Sequence, residues 1–341
     1  MMDFIRRYKT GLTAVLTLVI FVVALLLLRK MLAHLRWSDV VDELSRTSSR
    51  TVMLAALCSL GSYTALMFYD GLALRIVGRK INPLRVALTS FIAYGVGHSV
   101  GLSSISGGSV RLRMYSAVGL PPLEIAAVIA LCSITFALGV STLTGLSLIL
   151  KSDVATAVLH IPGYAAQGLG LLILLGVGGY LGFTAGRRVP VTLSGISFSL
   201  PPLPLSLAQL SVSCVDLSCA AATLYFLLPH QLHYTFPAFA GLYVLAIAAG
   251  VASNVPGGLG VFESVMLLML PNVPKDKLLG AVLLYRVLYY LLPFLLSLLL
   301  LAWSEWRTQR KRAPGAAEPE TKTRSEATKV VPLTPRKTQG R

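Results

Sequence analysis

The chain of 341 residues is 55% hydrophobic and only 13% charged, with a mean hydropathy of +0.73. Too few polar side chains exist to cover a soluble protein of that size, which excludes a water-soluble globular domain. The formal net charge of +16 invites a nucleic-acid partner, but no stacking or groove-reading motif accompanies it, and none is expected.

Apolar runs long enough to cross a bilayer as helices recur along the chain. The first, Gly11 to Leu28, follows Arg6, Arg7 and Lys9 and reads as an uncleaved anchor, because Arg29 and Lys30 stand where a small-residue cleavage site should be. Further runs span Thr51 to Tyr69, Leu123 to Leu150, Leu169 to Phe183, Leu205 to Leu228, Phe236 to Ala252 and Leu278 to Trp303. Two more hydrophobic stretches are interrupted by glycine and carry charge: Gly95 to Ser116 and Gly250 to Met269. The expected fold is therefore all-α, a polytopic integral membrane helical bundle with about eight membrane elements, two of them broken or re-entrant Gly-rich segments. Basic residues, among them Arg75, Arg79, Lys80, Arg85, Arg187 and Arg188, place the N- and C-termini in the cytoplasm. One connection, with Arg29, Lys30, Arg36, Arg46 and Arg50, then faces outward, its charge partly offset by Asp39, Asp42 and Glu43. From Arg307 to Arg341 ten Lys and Arg face three Glu. That composition predicts a membrane domain over 1–306 and a disordered basic cytoplasmic tail over 307–341, attractive to anionic lipid heads.

Non-helical backbone at membrane depth survives only where it is buried in protein or lines a wet cavity, so the two interruptions point to a transport site. In the first, Gly107, Gly108 and Ser109 precede Arg111 and Arg113. Glycines that free backbone N–H groups, a capping serine and two guanidinium forks make an anion site suited to phosphate, although the spacing is not that of a P-loop. The alternative is a tight turn whose arginines mark the cytoplasmic face. In the second, Pro256, Gly257, Gly258 and Gly260 break the helix and Glu263 falls in the first turn of a new one. There it stabilises the helix dipole, or receives an amine, a proton or an arginine from the facing half. Asp70, Asp216 and Arg286 also sit in or against apolar runs, where an ionised side chain costs about 2.5 to 3.5 kcal/mol. They serve the site, or pair with one another, for example as an Arg286 to Asp216 bridge.

Cys58, Cys132, Cys214 and Cys219 lie inside apolar runs and read as small core hydrophobes. His98 reads as a satisfied polar residue, and His34, His160, His230 and His233 fall in loops. No histidines pair at metal-ligand spacing and no HExxH, GxSxG or CxxC motif occurs, so no metal, cofactor or enzyme activity is expected. Gly182 and Gly186 form a small-residue pair of the kind that brings membrane helices together, which leaves a homo-oligomer open.

The runs Ser106 to Ser116, Asn254 to Glu263 and Leu284 to Pro293, with the acidic positions Asp70 and Asp216, resemble the lysylphosphatidylglycerol synthase transmembrane region. That is the flippase half of the multiple peptide resistance factor, and it also occurs alone. The resemblance implies transfer of an aminoacylated phospholipid from the inner to the outer leaflet of the bacterial cytoplasmic membrane, which favours resistance to antimicrobial peptides. It departs from the two-part protein in having a short basic tail where the aminoacyl-tRNA-dependent synthase domain would follow. Its lipid is then expected either to be made by a separate aminoacyl-lipid or other lipid synthase, or to be another lipid altogether. On this basis Arg111, Arg113 and the Gly107 to Ser109 turn would hold the lipid phosphate, while Asp70, Glu263 and Asp216 would receive a cationic head group. A scaffold for a lipid-modifying enzyme and an integral lipid-linked transferase are the alternatives.

Overall fold

The computed structural model describes residues 37–100, 103–150, 152, 161–186, 191–193, 196–198, 201–229, 234–253 and 255–312. The expected anchor at Gly11 to Leu28, the tail beyond Arg312, and His34, His160, His230 and His233 lie outside them.

The described residues form helices α1 (Trp37–Arg46), α2 (Ser49–Ile76), α3 (Pro83–Val100), α4 (Ser103–Ser116), α5 (Pro122–Leu150), α6 (Gly163–Gly186), α7 (Leu203–Leu227), α8 (Phe236–Ala252), α9 (Val261–Met269), α10 (Lys275–Tyr285) and α11 (Leu292–Arg312). A short antiparallel ribbon of β1 (Val191–Leu193) and β2 (Ile196–Phe198) joins α6 to α7. Among the described residues five helical stretches are long and apolar enough to span a membrane: α2, α5, α6, α7, and α10 continued into α11. The chain is a polytopic helical membrane protein.

Local chemistry sets the helix ends. After α2 the chain turns through Gly78 at φ 78°, which lets the Arg79 N–H reach back to the Leu74 carbonyl at 2.9 Å, a glycine stop of the kind that closes helices. Pro83 opens α3 where its missing N–H costs nothing, and the Asn82 side chain accepts the Leu84 N–H at 2.9 Å. Beyond the Gly78 turn, Arg79 forks onto Glu124 at the start of α5, with N···O distances of 2.6 and 2.7 Å.

Within the compact unit Met1–Leu301, α2 lies along α7, α3 pairs with α4, and α5 contacts α4, α6, α7 and α8. Small residues bring backbones close, as membrane packing favours. A Cβ at Gly139 of α5 would stand 2.7 Å from the Ser213 Cβ of α7, and one at Gly241 of α8 would meet Ser147 of α5. Between α10 and α11, Arg286–Leu291 form a π turn, whose extra residue per turn resets the direction of the side chains that follow. A smaller unit begins at Ala302; in it the Arg307 guanidinium lies 4.1 Å over the Trp303 ring.

Candidate functional site

The second interruption is a true break. After α8 the backbone forms a 3-10 turn over Pro256–Gly258, with Gly257 at φ 60°, Gly258 at φ 59° and Gly260 at φ 80°. These are left-handed conformations that glycine takes without steric cost. Glu263, in the first turn of α9, accepts the Gly260 N–H at 2.8 Å and receives the Arg286 Nε on its other oxygen. Arg286 also donates from Nη1 to the Gly257 carbonyl at 3.0 Å. The pair clamps the turn from two sides, and each charge is answered by the other.

The described part of the first glycine-rich stretch is helical. Gly107, Gly108 and Ser109 are not a turn but part of α4. Ser109 caps nothing: its hydroxyl donates to the Ile105 carbonyl at 2.8 Å. The glycines are there for contact, since a Cβ at Gly107 would stand 2.7 Å from the Ala93 carbonyl oxygen of α3, and one at Gly108 would stand 3.1 Å from Ile129 Cδ1 of α5. Glycine in a membrane helix is thus a packing surface here rather than a breaker.

Asp70 of α2 is fully buried. It accepts Arg111 Nε at 2.9 Å and Nη2 at 2.7 Å, with Tyr115 Oη at 2.8 Å and Ser90 Oγ at 3.2 Å. The Arg111 guanidinium also lies 4.5 Å over the Tyr94 ring. This bidentate, hydrogen-bonded pair meets the conditions under which a buried ion pair offsets its desolvation.

Asp216 of α7 is different. Only 3% exposed, it accepts Ser62 Oγ at 2.5 Å and Tyr69 Oη at 2.9 Å. Among the described residues no Lys, Arg or His forms an ion pair with it. The anticipated Arg286 to Asp216 bridge does not form, because Arg286 is committed to Glu263.

These groups surround one cavity of about 470 Å³. Asp216, Arg111, Gly257 and Gly258 line it, with Tyr69, Tyr94, His98, Tyr243, Tyr289 and Tyr290 as an aromatic wall. Its outer rim includes Ile105 of α4, Ser133 of α5 and Val251 of α8, all exposed. Asp70 stands behind Arg111; Glu263 and Arg286 stand behind Gly257. Gly107, Gly108, Ser109 and Arg113 are not among the lining residues. The two interruptions meet, since a Cβ at Gly257 would lie 3.8 and 3.9 Å from the Ser99 and His98 carbonyl oxygens at the end of α3. Near this junction three buried polar atoms have no partner among the described residues: Arg286 Nη2, His98 Nδ1 and Ser99 Oγ. His98, expected to be satisfied, is therefore open on one side. Sequence reasoning missed the tyrosines and Ser62, although a tyrosine inside an apolar run is itself a signal, an aromatic body with a hydroxyl that needs a partner.

Residues 14–297 match the family model described as the lysylphosphatidylglycerol synthase TM region. The chain is similar to the inner membrane protein YbhN of Escherichia coli, 31% identical over 89% of this chain and 95% of that protein. It is also similar to uncharacterized protein slr0712 of Synechocystis, 34% identical over 80% of this chain and 85% of that protein. A more distant match, 26% identical, is to the phosphatidylglycerol lysyltransferase of Staphylococcus aureus, where it covers 87% of this chain but only 34% of the enzyme. With that extent of match, the chain belongs to the lysylphosphatidylglycerol synthase transmembrane-region family.

Proposed function

We propose that this protein is a phospholipid translocator of the bacterial inner membrane, moving lysylphosphatidylglycerol or a related lipid with a cationic head group between leaflets. The observation that carries this reading is a cavity whose wall holds a carboxylate without a cation, Asp216, and whose rim includes the exposed Ile105 and Val251. A head group crossing hydrocarbon unaided meets a barrier set by its desolvation; a polar cavity lowers that barrier while the acyl chains stay in the bilayer. Asp216 would receive the ammonium. Arg111, the one arginine among the lining residues, would meet the phosphate, its Nε and Nη2 being shared with Asp70. The termini would lie in the cytoplasm, and a separate synthase would supply the lipid.

The test is leaflet exchange of labelled phosphatidylglycerol and its lysyl derivative in liposomes carrying the purified protein. Ile247→Trp, which fills the cavity from its α8 wall, is the comparison. Exchange by wild type that this variant reduces tenfold or more supports the translocator. Folded wild-type protein that moves neither lipid sinks it and favours a scaffold for a lipid-modifying enzyme.

A further inference from the structure

Among the described residues two buried carboxylates, Asp70 and Asp216, and the half-buried Glu263 stand at or behind the cavity wall, and two of the three are neutralised by arginine: Asp70 by Arg111, Glu263 by Arg286. Asp216 alone, among the described residues, has hydroxyl donors and no cation. A bare carboxylate at such depth is costly enough that the site takes up a positive species, either a proton or a ligand cation. We propose that Asp216 is an exchange site, at which a proton and the ammonium group of a lipid head group take turns.

The surroundings suit both occupants. Ser62 Oγ lies 2.5 Å from Asp216 Oδ1 and 2.8 Å from the Tyr289 hydroxyl, and either member of the second pair can donate. With Asp216 ionised, hydrogen bonds run from Tyr289 to Ser62 to Asp216. With a proton on Oδ1 they run the other way, from Asp216 to Ser62 to Tyr289, and the Tyr289 hydroxyl proton is left for a ligand or water in the cavity it lines. No heavy atom moves. The ammonium state has the aromatic rings of Tyr69 and Tyr243 beside it in the cavity lining, a residue type that attracts cations. The titratable groups that face Asp216 are Tyr63 and Tyr69 of α2, Tyr243 of α8, Tyr289 of the π turn and Cys219 of its own helix. The charged groups on the same wall, Asp70 and Arg111, are bound to each other. Charge balance is one for one: each ammonium that enters displaces one proton to water. If the translocator reading holds, on which this consequence rests, lipid entry is coupled to proton release.

The experiment is infrared pH-difference spectroscopy of the purified full chain in detergent, with dodecylammonium as the cation probe and a pH indicator to count released protons. A protonated-carboxyl band is expected in wild type, lost in Asp216→Asn, and suppressed by dodecylammonium with release of one proton per bound amine. Should Asp216→Asn not fold, Ser62→Ala removes a partner of both forms, of which the charge-assisted bond to the ionised carboxylate is the stronger, so the band's midpoint is expected to shift to higher pH. A band unmoved by Ser62→Ala, or one that survives saturating dodecylammonium, overturns the exchange site. These readouts need no lipid movement. A displaceable proton in a protein inactive in liposomes refutes only the translocator, while active exchange without a displaceable proton refutes only this inference.

Discussion

Arg111 and Asp70 place opposite charges in buried positions, Arg111 at the cavity wall and Asp70 behind it, and their geometry shows what each then requires. Removing one partner leaves the other buried and unanswered, which costs about 3 to 5 kcal/mol, whereas removing both leaves little charge to solvate. Arg111→Met alone is therefore expected to lower stability by that amount, and Asp70→Asn with Arg111→Met to recover more than half of it. Thermal unfolding of the detergent-solubilised variants measures both; equal loss in the single and double variants would show that the pair is not what holds α2 to α4. That these residues are charges at membrane depth was legible in the sequence. Their partners were not, because Asp70 and Arg111 are 41 positions apart and Glu263 and Arg286 are 23 apart, and nothing local sets which carboxylate an arginine meets.

At the scale of elements, the long apolar runs were readable because length and hydropathy suffice in a bilayer, where the backbone must satisfy itself. The glycine-rich runs were ambiguous. Pro256 with Gly257, Gly258 and Gly260 reads correctly as a break, since proline removes a donor and glycine accepts the positive φ that follows. Gly107 and Gly108 look the same in sequence yet serve close packing of α4. Only the neighbouring helix separates the two uses, and this gives a paired test. Gly107→Ala would drive a methyl to 2.7 Å from the Ala93 carbonyl oxygen and is expected to destabilise by about 1 to 3 kcal/mol. Gly178→Ala in α6, which meets nothing within 4 Å, is expected to be neutral or to stabilise by about 0.5 to 1 kcal/mol. Matching melting temperatures for the two variants would mean that α3 and α4 do not approach as closely as described.

At the scale of the whole membrane unit, function depends on where the cavity opens. Its lining comes from α2 to α5 on one side and from α7, α8, the glycine turn, α9 and the π turn on the other, so no single segment of sequence announces it. Among its lining residues Ile105 is 66% and Val251 53% exposed. An apolar side chain at a cavity mouth in a membrane protein is where a lipid tail would rest while its head group sits inside. Leu172 of α6 is equally exposed at 66% but lies outside that rim. In a chain whose four cysteines are replaced by alanine, Ile105→Cys or Val251→Cys labelled with a bulky maleimide is expected to slow leaflet exchange tenfold or more. The same label on Leu172→Cys is expected to leave the rate within twofold. Block at all three positions would reflect general damage, and block at none would move the lipid path away from this mouth even if the cavity binds the head group. A block confined to positions 105 and 251 would join the buried charges, the glycine turn and the exposed apolar rim into one route, with the head group inside the protein and the tails outside it.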